Sequence, residues 1–151
     1  MRCLGIFIAL GLMLSGCGSP GGNGGGSNTP SARQLTGMGG ELTTDTVGNV
    51  VEADFSQKPV GDADLAVIAR HATLQKVWLT RTGVTDAGLI HLQSMPRLQE
   101  LGLAHTSITD AGLKHLAAIK TLRKVYIYPT KVTDGAVDQL KAAVPGLVVV
   151  Y

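Results

Sequence analysis

The residues that could do chemistry are few, and they recur at a constant spacing. Asp86, Asp110 and Asp134 are evenly spaced along the chain, and His91 and His115 are separated by the same interval. Carboxylates and imidazoles serve in metal and acid–base sites, but residues that occur once per structural unit are expected to line up rather than converge. We therefore predict no catalytic residue, no metal site and no cofactor, and we expect that the protein is not an enzyme. The alternative is a two-histidine site on a helix surface.

The aromatic residues are the second candidate group. The chain has one tryptophan, Trp78, and three tyrosines, Tyr126, Tyr128 and Tyr151. Trp and Tyr are common anchors of protein interfaces. Whether these four side chains share one surface depends on the elements that carry them.

Those elements are predicted from an internal repeat. Segments beginning at Leu74, Leu98 and Leu122 share the pattern L-x-x-L-x-L-x-x-T-x-I/V-T-D-x-G-L. A looser copy begins at Val50, and Leu147 opens a final strand, LVVVY. In each unit, alternating apolar residues predict a strand, and apolar residues three positions apart then predict a helix.

A threonine and an aspartate precede each of the last three helices. Their oxygens can accept the unpaired N–H groups of a helix start, and the carboxylate complements the helix dipole. We therefore predict structural caps at Thr85, Asp86, Thr109, Asp110, Thr133 and Asp134.

The repeat resembles the leucine-rich repeat in its T-D-x-G-L form, similar to the repeats of F-box-associated proteins. The resemblance implies an α/β fold over residues 40–151, namely a short right-handed solenoid. It also implies a parallel sheet on the concave face and helices on the convex face. Residues 40–55 predict a hairpin with a Gly-Asn turn, whose first strand would cover the open edge beside the first unit.

The outward strand positions of such a solenoid would form the binding surface. Its predicted central column is Asp54, Trp78, Gly102, Tyr126 and Tyr151. At the usual strand spacing, Trp78 and Tyr126 would lie about 10 Å apart and form a slot floored by Gly102. We predict that this face, with Tyr128, binds a protein or peptide. The alternative is that aromatic residues simply suit strands.

A neighbouring column alternates in charge. On successive predicted strands, the residues of this column are Glu52, Lys76, Glu100 and Lys124. Cross-strand pairing on a solvated sheet explains this column better than recognition does.

The N-terminus predicts export and lipidation. Arg2 is followed by the apolar run Cys3–Leu14, which is shorter than the roughly 20 residues of a membrane-spanning helix and is typical of a secretory signal. Leu14-Ser15-Gly16-Cys17 resembles the lipobox of bacterial lipoproteins. The resemblance implies a signal peptide over 1–16, a diacylglycerol on Cys17 and an acyl chain such as palmitate on its amine. An ordinary secretory signal is the alternative.

Residues 17–39 then predict a flexible Gly-rich tether. The folded domain would lie outside the cytoplasm, anchored by lipid to the bacterial envelope, with the outer membrane favoured.

The balance of charge argues against a nucleic-acid partner. The chain has 13 Lys and Arg against 11 Asp and Glu, so it has no strongly basic character. Its two cysteines both lie in the N-terminal region, which excludes a disulfide framework in the domain.

Beside peptide binding, we keep a second hypothesis. In it the protein is a structural lipoprotein that associates with itself through the thinly covered Leu147–Tyr151 end.

Overall fold

The computed structural model of the chain describes residues 30–151. The predicted signal peptide, Cys17 and most of the tether lie outside these residues. The elements are α1 (Pro30–Gly37), β1 (Glu41–Thr44), β2 (Val50–Asp54), α2 (Asp62–Ile68), β3 (Lys76–Trp78), α3 (Asp86–Leu92), β4 (Glu100–Gly102), α4 (Asp110–Leu116), β5 (Lys124–Tyr126), α5 (Asp134–Ala143) and β6 (Val148–Val150).

The six strands form one sheet in chain order, β1 to β6. The β1 strand is antiparallel to β2, and every later pair is parallel. Partners in the parallel pairs are separated by one repeat length, as in Val77, Leu101 and Val125. The prediction of an α/β fold with a mostly parallel sheet is confirmed.

Alternation along the strands separates the two faces of the sheet. The residues paired with one another at the centre of the register are buried, namely Ala53, Val77, Leu101, Val125 and Val149, and so are the apolar residues at three-residue spacing on the helices, such as Leu89 and Leu92. All of them belong to one continuous core. The helices α2 to α5 contact one another in chain order. The core therefore lies between one face of the sheet and the row of helices.

An aspartate at the start of one unit's helix binds the next unit. Asp86 accepts the backbone N–H of Thr109 at 2.8 Å with Oδ1 and the Thr109 hydroxyl at 2.6 Å with Oδ2. Asp62 binds Thr85 in the same way, and Asp110 binds Thr133. We call these three contacts the Asp–Thr ladder. They correct the expected role of the aspartates, because these carboxylates join neighbouring units rather than cap their own helices.

The threonines themselves occupy the N-cap positions of α3, α4 and α5. The Thr109 hydroxyl oxygen accepts the N–H of Ala111 at 3.3 Å, and that of Thr133 accepts the N–H of Ala136 at 3.4 Å. Thr85 makes no such side-chain bond. A hydroxyl can donate to the preceding aspartate and still accept from its own helix, so one threonine serves both purposes.

Asp110 shows the electrostatic effect of the ladder. The backbone N–H of Thr133, and then its hydroxyl, lower the pKa of the Asp110 carboxyl below its ordinary value. Hydrogen bonds to an ionised carboxylate favour the charged form. The aspartate is therefore held as an anion where it joins α4 to α5.

In α3 and α4, a glycine in the first helical turn allows the preceding helix to approach closely. A Cβ on Gly112 would meet Asp86 and Leu89 of the preceding helix, and one on Gly88 would meet Asp62. The last unit carries Ala136 in this position. Ala136 lines a cleft of about 520 Å³ between α4 and α5.

The N-terminal boundary of the folded part differs from the prediction. The sequence assigns residues 30–39 to the flexible tether, but α1 occupies 30–37 and its Leu35 side chain is fully buried. The apolar residues Ala32 and Leu35 share one helix face, and the periodicity of so short a segment is a weak signal. The predicted hairpin β1–β2 forms, but Gly-Asn is not at the centre of its turn. The Gly48 N–H donates to the carbonyl of Asp45, and the Asp45 carboxylate accepts the N–H groups of Val47 and Asn49.

His71 is a buried polar residue with one ring nitrogen that lacks a hydrogen-bond partner within residues 30–151. It occupies the same place in its unit as the buried Met95 does in the next, and its own side chain is also buried. Its Nε2 has no hydrogen-bond partner, and burial lowers the pKa of the imidazole. The folded state therefore favours the neutral imidazole at this position.

None of the helices within residues 30–151 has both the length and the apolar character needed to cross a membrane.

The Asp–Thr ladder gives a direct test of the unit-to-unit contact. Replacing Asp86 by alanine removes two hydrogen bonds to Thr109 and is expected to lower the free energy of unfolding by about 1–3 kcal/mol. The matched control is Asp134→Ala, because Asp134 starts α5 in the same way and, within residues 30–151, its carboxylate makes no hydrogen bond to another unit. Denaturant unfolding measured at low protein concentration compares the two. Equal losses would show that the aspartates act only on their own helices.

Candidate functional site

The face of the sheet opposite the helices carries most of the predicted binding residues. We call it the open sheet face, formed by the strand residues that alternate with the buried ones. Trp78 and Tyr126 lie on it and are half-buried, and Gly102 lies between them on β4. Tyr128 follows Tyr126 by two residues and is 66% exposed. The structure therefore brings Trp78 and Tyr126 together, and Tyr128 is exposed just after the end of β5.

The predicted slot between the aromatic residues is absent, because the rings touch. The ring centroids of Trp78 and Tyr126 are 5.1 Å apart, with the planes tilted by 49°. The indole lies across Gly102, where a Cβ would collide with ring carbon Cε3 of Trp78. The backbones of β3 and β5 are two strand spacings apart, with β4 between them. Because Gly102 on β4 has no side chain, the Trp78 indole can extend across β4 and reach the Tyr126 ring. The result is a closed aromatic platform with Gly102 buried beneath it.

Polar groups fix one end of this platform. The Trp78 indole Nε1–H donates a hydrogen bond of 2.7 Å to Oε1 of Glu52 on β2. Lys76 and Glu100 form an ion pair at 3.2 Å, and the Glu100 carboxylate raises the pKa of the Lys76 ammonium. Of the column of alternating charges, Lys76 and Glu100 therefore form the cross-strand ion pair that was predicted. Glu52 was not predicted as a site residue, because in the sheet register it pairs with Lys76 and the indole of Trp78 reaches it only diagonally.

Asp54 has a local role. Its Oδ1 accepts the backbone N–H of Ser56 at 2.7 Å, which stabilises the turn after β2. It pairs with Trp78 in the sheet register, on the side away from Tyr126. Asp54 therefore borders the aromatic platform without taking part in the ring contact.

The position predicted for Tyr151 is wrong. Val150, not Tyr151, pairs with Tyr126 across β5 and β6, because the repeat spacing of the earlier strands continues unchanged into the final strand. A shift of one residue in a strand moves every side chain to the other face. Val148 and Val150 are consequently exposed on the open sheet face, and Val149 is buried. The Tyr151 ring instead lies 5.9 Å from Nζ of Lys141 on α5.

The remaining candidates do not converge on a reactive centre. Nδ1 of His115 lies 3.1 Å from the side-chain amide of Gln93, in the row of helices. Within residues 30–151, no three His, Cys, Asp or Glu residues are grouped so that they could hold a metal ion. Chemically, the arrangement offers a rigid aromatic surface with a charged border.

Comparison with known proteins gives a structural likeness alone. No family model matches the chain, and no curated protein matches it. A search of solved structures finds 23 matching chains. One is "Crystal structure of PEPR1-AtPEP1", to which this chain is similar at 15% sequence identity and a TM-score of 0.44. The match covers 72% of this chain, which spans only 19% of the length of that chain.

Gly102 is the position at which the aromatic platform can be tested. In Gly102→Ala, the new methyl group would meet the Trp78 ring and is expected to rotate it off Tyr126. Because Trp78 is the only tryptophan, its near-ultraviolet circular dichroism should fall and its fluorescence emission should shift to the red. Gly135→Ala is the control, since a Cβ there has nothing within 4 Å. An unchanged spectrum in Gly102→Ala would rule out the packed arrangement.

Proposed function

We propose that this chain is a short leucine-rich-repeat solenoid that binds a protein or peptide on its open sheet face and has no catalytic activity. The constant register of strands β2 to β6 and the repeated Asp–Thr ladder support the solenoid. Each unit makes the same contact with the next one, which is the organisation of repeat proteins.

The observation that carries the binding proposal is the exposed apolar surface around the aromatic platform. Trp78 and Tyr126 pack into a fixed surface, and the exposed Tyr128, Val148 and Val150 extend it. Rigid aromatic side chains lose little conformational entropy on binding. The bond from Trp78 to Glu52 and the Lys76–Glu100 pair limit movement at its border. An ordered apolar surface with a polar border suits a peptide or protein partner.

Peptide selection tests this proposal. The immobilised full-length chain would be used to select binders from a random displayed peptide library, and the affinity of each selected peptide would then be measured. Tyr128→Ala is expected to weaken binding about tenfold or more, as removal of an aromatic anchor does. The core should remain intact, because the Tyr128 side chain is largely exposed.

Ile90→Ala supplies the matched control for that measurement. Ile90 is also exposed, but it lies on α3 and therefore on the helical side of the molecule. Peptides that bind the open sheet face should retain their affinity for this variant. A selection without binders, or equal affinities for the two variants, would contradict the proposed site.

We further propose that lipid on Cys17 anchors the protein to the bacterial envelope, with the outer membrane as its location and the domain outside the cytoplasm. The lipobox-like Leu14-Ser15-Gly16-Cys17 and the apolar run before it support this proposal. Two or three acyl chains anchor a protein stably where one does so only marginally. The Gly-rich residues that follow would allow the open sheet face to reach partners in different orientations.

Mass spectrometry of membrane-extracted protein tests the anchor. The expected mass is that of a chain beginning at Cys17 with a diacylglycerol and an additional acyl chain. In Cys17→Ser, the lipid mass should disappear and the protein should leave the membrane fraction. An unmodified wild-type chain that retains Met1, or one cleaved elsewhere, would show that the lipid anchor is wrong.

A further inference from the structure

Within residues 30–151, the final strand, β6, has one side without a strand partner. In the described part of the chain, β6 pairs with β5 alone. The Val148 N–H donates to the carbonyl of Arg123, and the Val150 carbonyl accepts the N–H of Ile127. Strand residues alternate in direction, so Val149 between them directs its N–H and carbonyl to the opposite side. A strand edge of this kind is ready to pair with another strand.

The side chains at this edge do not discourage pairing. Val148 is 51% exposed, Val150 is also exposed, and no charge occurs within Val148–Val150. Exposed edge strands usually carry a charge, a proline or a bulge that prevents association. The β1 strand at the other edge does have such a residue, because its Glu41 is exposed.

From these features we infer that two copies of this chain form a two-fold symmetric dimer by antiparallel pairing of their β6 strands, centred on Val149. Both Val149 residues would then exchange N–H···O=C bonds with each other. Val148 of each copy would lie beside Val150 of the other, which joins the two open sheet faces into one apolar surface. Such a two-fold contact uses both free edges at once and closes the assembly.

The charges on α5 agree with an antiparallel partner. Asp134 lies near the start of this helix and Lys141 near its end, and both are exposed. The residues of α5 that border the cleft with α4 are different, namely Gly135, Ala136, Gln139, Leu140 and Ala143. In the two-fold arrangement, α5 runs antiparallel to its copy, so Asp134 of each helix faces Lys141 of the other. The exposed Asp138 lies between them on the same helix face and meets its own copy, so two pairs of opposite charge stand against one pair of like charge. This complementarity favours a second copy as the occupant of the edge.

Sedimentation equilibrium of the full-length chain in density-matched detergent measures the dimer directly. We expect a concentration-dependent monomer–dimer equilibrium. Val150→Lys should weaken dimerisation at least tenfold, because it places two ammonium groups at the paired edge. Val47→Lys is the control, since Val47 is 83% exposed in the distant β1–β2 turn, and this substitution should leave the equilibrium unchanged.

A charge exchange tests the orientation. Asp134→Lys alone should weaken the dimer, and adding Lys141→Asp should restore it. The inference is overturned by a strict monomer at all concentrations, by equal dimerisation of Val150→Lys and wild type, or by failure of the double variant to recover. It does not depend on peptide binding by the open sheet face.

Discussion

The carboxylate contact between neighbouring units is the constraint on which the rest of this fold depends. Each of Asp62, Asp86 and Asp110 binds both the N–H and the hydroxyl of the threonine that precedes the next helix. Two bonds to one residue fix distance and orientation together. These contacts agree with the constant offset of one repeat length between successive strands, whose buried residues meet in one core.

The open sheet face follows from that offset. Trp78, Gly102 and Tyr126 become neighbours because successive strands are in register. With a side chain in place of the hydrogen of Gly102, the indole could not lie across the central strand. The same register places Glu52 within reach of the indole N–H and Glu100 within reach of Lys76. One structural repeat thus produces both the core and an ordered aromatic surface.

Most of the fold, and less of the site, could be predicted. Alternation identifies the buried strand residues, and the hairpin signal identifies β1 and β2. The errors have separate physical causes. The sequence prediction aligned Leu147 with Leu122, although the two are separated by one residue more than the repeat length. This shift assigned every side chain of the last strand to the wrong face of the sheet. Helix α1 escapes prediction because a short amphipathic segment beside a Gly-rich stretch has little periodic signal.

The sequence by itself determined the repeat length, the buried residues of β3 to β5 and of α3 to α5, and the placement of Trp78 and Tyr126 on strands. These features depend on local periodicity, which is present in the chain before it folds. Only the tertiary structure decided that the Trp78 ring closes over Gly102, that the aspartates bind the following unit, and that His71 is buried without a partner for Nε2. Those outcomes depend on the direction of individual side chains and on contacts between residues distant in the chain. The periodicity of apolar residues gives no information about either.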